Sequence, residues 1–365
     1  MAQKKVAFLI AGVNAGGTEN YLLRFIKYYH NEIEATVYCK SGKLGDLEDE
    51  FLSAGAHLVP FYLGYFNYRR FASLRKEFEN KKFDSVCDLT GSFGSFPLMV
   101  AKSAGIEKRI SFFRNAEEKF QKTFLKSFYH YMITKLLPHV STNVLSNSKT
   151  ALNHFYRGED WSSNNKFQVV YNGIEAKSFI ESDLDLRDEL GINKDSFVVG
   201  HVGRYNEQKN HETILKVAID LCKENKDIYF VLCGKNVQEV YFQKIVELGL
   251  DQQILFLGVR RDIDKVLRTM NCFYFPSTIE GQPNALIEAL MVGLPFVCSN
   301  IEPIKETIPR KFYDQLIPPF DYEQAKVKIL DIKNNSKKRE SLNLSNWAIS
   351  YYDPDKWFQM VYDKL

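Results

Sequence analysis

The chain has 365 residues and a mass of 42.3 kDa, with 45% hydrophobic and 25% charged residues. This composition is that of an ordinary globular protein, and it excludes a collagen-like repeat, a disulfide-stapled miniprotein and a long disordered tail. The formal net charge is only +3, but residues 1–175 carry 23 Lys and Arg against 17 Asp and Glu, so the first half is the basic half.

The N-terminus and the cysteines carry no sign of secretion. Lys4 and Lys5 lead into a strand-length apolar run, and no run reaches about 18 apolar residues, so we expect neither a signal peptide nor a transmembrane helix. No Cys-x2-Cys pair is present. We expect a cytoplasmic location and buried, reduced thiols at Cys39, Cys87, Cys222, Cys233, Cys272 and Cys298.

Short apolar runs alternate with amphipathic stretches through the first half. The predicted strands are Lys5–Ala11, Glu34–Cys39, Ser85–Asp88, Lys108–Phe112, Thr142–Ser146 and Gln168–Val170. The predicted helices include Gly17–His30, Tyr68–Asn80, Lys119–Leu137 and Lys149–Tyr156. The strands are continuously apolar rather than alternating, which favours a parallel sheet covered on both faces.

The pattern restarts after the turn signal Asn172-Gly173. The second series alternates strands and helices over Phe197–Val202, Asn210–Lys223, Ile228–Cys233, Val237–Leu248, Gln253–Phe256, Asp262–Thr269, Cys272–Phe275, Asn284–Met291 and Pro295–Cys298. A helical stretch is predicted over Ser341–Leu365, with a break at Asp353-Pro354. We therefore predict an α/β fold of two Rossmann-like parallel-sheet domains, 1–175 and 176–345, facing across a ligand-binding cleft. Residues 346–365 are predicted as a C-terminal helix that packs on the first domain.

The first candidate site lies in the loop after the first strand, where residues 12–19 read Gly-Val-Asn-Ala-Gly-Gly-Thr-Glu. Gly16 and Gly17 would let the backbone approach a phosphate at a helix N-terminus, and the alternative is a plain tight turn. The loop is not Gly-x-Gly-x-x-Gly, and no acidic residue ends the second strand at Tyr38-Cys39-Lys40. An NAD site is therefore disfavoured.

The second candidate site follows the first strand of the second half, where Gly203 and Arg204 precede Lys209. The five-residue spacing would let a planar guanidinium and a mobile ammonium meet on one anionic group. The alternative is a solvated basic loop. His201 fits a hydrogen-bonded strand-end histidine better than a base.

The third candidate site is the segment 276–290, Pro-Ser-Thr-Ile-Glu-Gly-Gln-Pro-Asn-Ala-Leu-Ile-Glu-Ala-Leu. Gly281 and Pro283 mark a loop that turns into a helix, with Glu280 at its mouth and Glu288 inside it. Carboxylates can accept hydrogen bonds from paired sugar hydroxyls, and a helix N-terminus suits a diphosphate. An exposed charge pair is the alternative, but Glu288 lies in an otherwise apolar helix, where an unpaired charge is costly.

Residues 276–295, Pro-Ser-x-x-Glu-Gly-x-Pro-Asn-x-Leu-x-Glu-Ala-x-x-x-Gly-x-Pro, resemble the signature of glycosyltransferase family 4. The stretches His201-Val202-Gly203-Arg204, Gly-Gly-Thr-Glu and 256–262 stand where that family has its other motifs. The resemblance covers nearly the whole chain. It implies the GT-B fold and a retaining transfer of a sugar, most readily from a UDP-sugar, without a cofactor or a metal.

The resemblance also implies roles for individual residues. Glu288 would hold the ribose hydroxyls of the donor, and Glu280 the transferred sugar. Arg204 and Lys209 would neutralise the leaving diphosphate, helped by backbone N–H groups of Gly281 and Gln282 and by Gly16 and Gly17 of the other domain. Val259 and Arg260 would flank the base. Further donor contacts are expected at Gly203, Ser277, Pro283, Asn284 and Leu286.

Two positions depart from the family pattern. Arg114-Asn115 replaces a histidine that many relatives carry near the transferred sugar, and an arginine cannot act as a base at neutral pH. Arg114 and Asn115 could contact sugar hydroxyls or an acceptor phosphate, or Arg114 could be structural. The usual Gly-x-Gly after Cys233 reads Gly234-Lys235-Asn236, so Lys235 could contact the nucleotide.

Two stretches of the first half, 60–82 and 119–140, are both basic and aromatic. They would suit docking on an anionic membrane near a lipid-linked acceptor, or they could place their aromatic residues in the core. A glycan or polyprenyl-diphosphate-linked acceptor in surface polysaccharide biosynthesis fits the family. A nucleic acid partner is not expected, because no binding module is present.

The sequence therefore predicts a retaining hexosyl- or N-acetylhexosaminyltransferase. Two alternatives stay open: a silent nucleotide-sugar or glycan-binding protein, and a non-hydrolysing sugar-nucleotide epimerase.

Overall fold

The computed structural model describes residues 3–64, 67–115, 123–181 and 184–365. The chain forms two compact units. The first contains residues up to Gly173 together with Pro354–Leu365, and the second is Ile174–Asp353. Each unit is built around one parallel sheet with its own helices.

The sheet of the first unit has seven strands in the order β3-β2-β1-β4-β5-β6-β7. These strands are β1 (Lys4–Ile10), β2 (Ile33–Cys39), β3 (His57–Pro60), β4 (Ser85–Asp88), β5 (Lys108–Phe113), β6 (Asn143–Ser146) and β7 (Phe167–Val169). Because β1 pairs with both β2 and β4, the strand order reverses at β1. Ligands of open parallel sheets bind beyond the strand ends at such a reversal.

The helices of the first unit cover both faces of its sheet. They are α1 (Gly17–Tyr28), α2 (Glu48–Ser53), α3 (Tyr68–Lys81), α4 (Ser95–Ser103), α5 (Phe124–Val140), α6 (Lys149–Phe155) and the C-terminal α16 (Pro354–Tyr362). The strand interiors are nearly inaccessible, as at Val6, Val86 and Ile110, which is the burial that the continuous apolar runs predict.

The second unit has a five-stranded parallel sheet in the order β10-β9-β8-β11-β12. Its strands are β8 (Phe197–Val202), β9 (Ile228–Cys233), β10 (Ile254–Gly258), β11 (Cys272–Phe275) and β12 (Phe296–Cys298). Its helices are α7 (Lys177–Ile180), α8 (His211–Glu224), α9 (Val237–Glu247), α10 (Ile263–Arg268), α11 (Asn284–Val292), α12 (Glu302–Thr307), α13 (Tyr322–Asn334), α14 (Ser336–Ser341) and α15 (Ser345–Tyr351).

The break predicted at Asp353-Pro354 is present, and it divides the C-terminal segment into two helices. The prediction that all of 346–365 packs on the first domain is wrong, because the two helices belong to different units. The hydroxyl of Ser345 donates to the carbonyl of Met291 at 2.6 Å, and α15 belongs to the second unit. Helix α16 belongs to the first unit, where Phe358 packs against Tyr21 and Phe25 with ring centroids 5.6 and 5.4 Å apart.

The other predicted elements agree with the structure within a few residues, and two differences stand out. The edge strand β3 was not predicted, because it is half-exposed and lacks a continuous apolar run. Helix α5 continues through Pro138, whereas the prediction stopped at Leu137, and the predicted start at Lys119 lies outside the described residues. All six cysteines are free and buried, as predicted.

Candidate functional site

Three loops meet at the carboxyl edge of the second sheet, after β8, β9 and β10. The N–H of Gly203 donates to the carbonyl of Cys233 at 2.9 Å, and that of Tyr205 to Lys235 at 2.9 Å. The N–H of Gly234 donates to the carbonyl of Gly258 at 2.8 Å. These bonds hold the loop backbones together directly and fix the position of the segment that carries Arg204.

This close approach explains the residues found after β9. A Cβ added to Gly234 would lie 2.1 Å from the carbonyl oxygen of Gly203, so no larger residue fits without moving the backbone. Asn236 has φ of 64°, a left-handed conformation that asparagine adopts more readily than most residues. Asn236 therefore meets the backbone requirement that a glycine would meet at this position.

Lys209 and Glu280 form an ion pair between the loops after β8 and β11. The Nζ atom of Lys209 lies 2.6 Å from Oε1 of Glu280, and both side chains are largely shielded from solvent. The N–H of Thr278 donates to the carbonyl of Gln208 at 2.8 Å, which ties the two loops together. Lys209 also lies 4.6 Å from the ring centroid of Phe275. The structure thus brings together two residues 71 positions apart that the sequence assigned to separate motifs.

Asn210 fixes the start of α8 beside this ion pair. Its φ of 56° turns the chain from the short 3₁₀ segment Glu207–Lys209 into the helix. Its side-chain amide donates to the carbonyls of Pro276 at 3.2 Å and Pro319 at 2.8 Å. The amide therefore joins the Lys209 loop to the Glu280 loop.

Helix α11 continues directly from the Glu280 loop. Pro283 occupies its N-cap position, and Asn284 is its first residue. Glu288 lies one turn further on and is only 6% exposed, on a helix that is otherwise apolar. Ser277, Gln282 and Leu286 are also buried, whereas Gly281 is half-buried. The segment therefore presents a helix N-terminus between a loop carboxylate and a buried helical carboxylate.

Arg260 is held rigidly after β10. Its guanidinium donates to both carboxylate oxygens of Asp262 at 2.8 Å and to Glu189 at 2.9 Å, and these bonds raise its pKa above the ordinary arginine value. Its neighbour Val259 is 60% exposed. On the separate loop after β8, the side chain of Arg204 is also exposed. The pairing with Glu189 could not be read from the sequence, because 71 residues separate the partners.

Two buried histidines lie under the Lys209 loop. His201 is 1% exposed, and its Nδ1 lies 3.0 Å from the carbonyl oxygen of Tyr274. Burial and the neighbouring His211 hold the pKa of His201 well below its usual range, and burial lowers that of His211 to about 4. Both rings are neutral at pH 7, which agrees with the structural role expected for His201.

In the first unit, the glycine loop leads into α1. Gly16 is the extended N-cap residue of that helix, and its carbonyl accepts from the N–H and the side-chain amide of Asn20, both at 3.0 Å. A Cβ on Gly16 would lie 2.5 Å from the carboxylate of Glu19. Gly17 begins the helix. Backbone N–H groups at such a terminus can bind an anion.

Arg114 lies buried at the end of β5, on the ring of Tyr21. The guanidinium carbon is 3.8 Å from the centroid of that ring and 4.9 Å from that of Phe112. The side chain is 7% exposed, and neither Nε nor Nη1 has a hydrogen-bond partner among the residues that the structure describes. Burial lowers the arginine pKa to about 10, so the group stays charged at neutral pH. The following Asn115 is exposed.

Two Rossmann-like units with parallel sheets of seven and five strands define the GT-B class of fold, the architecture found in nucleotide-sugar-dependent glycosyltransferases. A crystal structure of Anabaena Alr3699/HepE, solved in complex with UDP, has this fold with a TM-score of 0.81. It is 19% identical and covers 98% of each chain. The predicted fold class is confirmed.

Residues 182–345 match the family model described as glycosyl transferases group 1. The capsular polysaccharide biosynthesis glycosyltransferase CapH of Staphylococcus aureus is 28% identical over 305 residues, covering 82% of each chain. A UDP-Gal:alpha-D-GlcNAc-diphosphoundecaprenol alpha-1,3-galactosyltransferase of Escherichia coli is 31% identical over 178 residues, which are 46% of each chain. The predicted resemblance to glycosyltransferases of bacterial polysaccharide biosynthesis is confirmed.

No helix in the described ranges combines the length and the hydrophobicity that crossing a bilayer requires.

Proposed function

We propose that this protein transfers a hexosyl or N-acetylhexosaminyl group from a UDP-sugar to a hydroxyl of a lipid-linked glycan, with retention of anomeric configuration and without a metal. The observation that carries the proposal is the Lys209–Glu280 pair at the N-terminus of α11, with Glu288 buried one turn beyond it. It combines a cation, two carboxylates and a helix terminus at the carboxyl edge of one sheet.

The diphosphate of the donor would bind between Lys209, Arg204 and the first N–H groups of α11. A helix N-terminus carries partial positive charge, and its N–H groups point toward an anion. Arg204 supplies a guanidinium from an exposed loop position whose backbone is fixed by the Gly203 and Tyr205 hydrogen bonds. These fixed positive groups would stabilise the charge that grows on the leaving diphosphate, which is the electrostatic part of the rate enhancement.

The carboxylates would bind hydroxyl groups at the two ends of the donor. Glu280 at the loop would accept from the transferred sugar, and Glu288 would accept from the ribose. Arg260 would support the base, since its ion pairs with Asp262 and Glu189 hold the guanidinium plane in one orientation. Exposed Val259 beside it would offer backbone hydrogen bonds to the base edge.

The acceptor would be a glycan on a polyprenyl diphosphate, reached at the inner face of a membrane. Support comes from the Escherichia coli relative, whose name specifies a diphosphoundecaprenol acceptor, and from a Campylobacter jejuni relative that is also named for a diphospho-undecaprenol substrate. Arg114 in the first unit would contact an anionic or hydroxyl group on that side of the reaction, because its buried Nε and Nη1 atoms have no hydrogen-bond partner in the described part of the chain.

Thermal-shift measurements with UDP, GDP, ADP and CMP, with and without EDTA, test the donor. UDP should raise the melting temperature equally in both conditions, because a ligand of the folded state stabilises it. Labelled UDP-sugars and a polyprenyl-diphosphate glycan then test transfer, and NMR of the product gives its anomeric configuration. Stabilisation without transfer would indicate the silent binding protein, and free sugar-nucleotide isomers would indicate the epimerase.

Two variants test the assignments. Glu288→Gln should weaken UDP binding roughly tenfold, because it replaces a buried, charged carboxylate that would accept hydrogen bonds from the ribose hydroxyls. Arg204→Ala should lower kcat roughly a hundredfold and change donor Kd less than about threefold, because its interaction strengthens as the leaving group gains charge. Equal losses of kcat and donor affinity in Arg204→Ala would contradict its role.

A further inference from the structure

The outward face of α5 is apolar instead of polar. Five of its side chains are more than half exposed: Phe124 (85%), Leu125 (78%), Phe128 (57%), Tyr131 (58%) and Met132 (51%). The spacing of these residues puts them on one side of the helix, while Ile133 and Leu137 on the other side are buried. A helix on a protein surface normally turns polar residues to water, so this face is unusual for a surface that contacts only solvent.

The apolar surface continues onto the neighbouring helices of the same unit. The ring of Phe71 on α3 lies 5.9 Å from that of Phe96 on α4, which stacks 6.4 Å from Tyr129 on α5. These contacts place the N-terminal halves of the three helices side by side. Met99 of α4 and Tyr68 of α3 are 41% and 72% exposed.

Positive charge surrounds these residues. Helix α5 contains Lys126 and Lys135 and no Asp or Glu, and both lysines are exposed. Arg69 and Arg70 are exposed at the start of α3. Within the described ranges, Glu159 is paired to Lys135, and Glu77 and Glu79 of α3 are paired to lysine and arginine on the same helix.

We propose that this surface, defined by Tyr68, Met99 and the five exposed apolar residues of α5, docks on an anionic lipid bilayer. Large apolar side chains would enter the acyl boundary, and Lys126, Arg69 and Arg70 would contact lipid phosphates. A symmetric contact with a second copy is disfavoured, because it would bring two basic surfaces of the same sign together. The inference deepens the proposed function by naming the surface that brings the enzyme to a lipid-carried acceptor.

Co-sedimentation with vesicles of phosphatidylcholine containing phosphatidylglycerol tests the proposal. The triple variant F124S/L125S/F128S should bind these vesicles roughly tenfold more weakly or worse, because it removes apolar area that enters the bilayer. The control is V240S/F242S/V246S on α9, which removes one aromatic and two smaller aliphatic side chains that are 45–47% exposed in the other unit. That control should bind like the wild type.

A charge variant tests the basic part of the surface. R69E/R70E/K126E should lose binding to the anionic vesicles, and wild-type binding should weaken as salt screens the attraction. The control K223E/K244E/K337E changes the net charge equally at exposed lysines of the second unit and should bind far better. Circular dichroism and melting temperature should be unchanged in all four variants.

Three outcomes would overturn the proposal. These are absence of wild-type vesicle binding, equal binding by the α5 triple variant, and a wild-type dimer in sedimentation velocity that F124S/L125S/F128S dissolves. The proposed function is tested separately, with UDP binding and with transfer to a water-soluble acceptor glycan. Both should be retained by the α5 triple variant, so loss of membrane binding and loss of enzymatic function are distinguishable.

Discussion

At the scale of single residues, the two buried arginines Arg187 and Arg114 differ in how fully their guanidinium groups are hydrogen-bonded. Arg187 is 8% exposed and donates to the carbonyls of Asn193, Ser196 and Thr269 and to the side chain of Asn271. Arg114 is 7% exposed but stacks on Tyr21, and its Nε and Nη1 atoms form no hydrogen bond with any described residue. Burial of a charge without hydrogen bonds costs stability, and this cost is consistent with the ligand contact proposed for Arg114.

This contrast predicts opposite effects of the same substitution. Arg114→Met should leave the free energy of unfolding within about 1 kcal/mol of the wild type, or raise it, because an apolar residue of similar size replaces a desolvated charge. Glycosyl transfer should nevertheless fall at least about tenfold.

Arg187→Met should lower the free energy of unfolding by about 3 kcal/mol or more, because it leaves several buried oxygens without donors. Urea denaturation and transfer assays measure both. Strong destabilisation by Arg114→Met would identify it as structural.

His211 makes stability depend on pH in a defined direction. Its pKa is about 4 in the folded protein and 6.5 in the unfolded chain, so between these values the unfolded state binds the proton more readily. The contribution of His211 to stability is complete above about pH 6.5 and declines as the pH falls toward 4, by roughly 3 kcal/mol in total.

His211→Gln should therefore flatten the dependence of unfolding free energy on pH between 6.5 and 4. Urea denaturation at four pH values measures the slope. Only the slopes are compared, so a change in the overall stability of the variant does not affect the result. His57→Gln is the control, because His57 is exposed and its substitution should leave the slope unchanged. Parallel slopes for the wild type and His211→Gln would show that the buried ring does not disfavour protonation.

At the scale of elements, hydrophobic patterns predicted the parallel strands well but could not predict the contacts between the loops that follow them. Continuous apolar runs locate β1, β8 and β11 because both faces of these strands are buried. Edge strand β3 lacks that signal. The motif spacing selected Lys209 and Glu280, but their ion pair depends on how the loops after β8 and β11 pack. Apolarity predicted that α5 is amphipathic without showing that five of its large apolar side chains lie on the exposed face.

The loop contact after β8 and β9 predicts a cost for adding one methyl group. Gly234→Ala would place Cβ against the carbonyl oxygen of Gly203, so it should lower the free energy of unfolding by roughly 1–3 kcal/mol. It should also reduce stabilisation by UDP, because the Gly203 backbone positions Arg204. Gly12→Ala is the control, because its Cβ meets neighbours only at 3.4 Å or more, and its stability should change by less than about 1 kcal/mol. Equal melting temperatures for the two variants would contradict the steric argument.

At the scale of the whole molecule, the second unit is inserted into the first. The chain leaves the first unit after Gly173 and returns at Pro354, and a Cβ on Gly173 would lie 2.8 Å from the Cα of Pro354. Helix α16 then completes an aromatic cluster in which Phe358 contacts Tyr21, Phe25 and Tyr28. The break at Asp353-Pro354 was readable from the sequence. A C-terminal helix on the first unit was also predicted, but no local pattern shows which residues of 346–365 make a contact across more than 300 residues.

This connectivity predicts which fragments fold. Residues 174–353 are one continuous segment with their own sheet, so they should fold alone and, on the proposed function, retain UDP binding. Residues 1–173 alone should be unstable, because they lack Phe358 and Trp357, which pack on Tyr21 and Tyr171. Joining 1–173 to 354–365 through a short Gly-Ser linker should restore a cooperative unfolding transition, since the two ends already touch. Circular dichroism melts of the three fragments measure this, and the linked fragment with Phe358→Ser serves as the control that removes only the cluster. A cooperative transition in 1–173 without α16 would show that the aromatic cluster is dispensable for that unit.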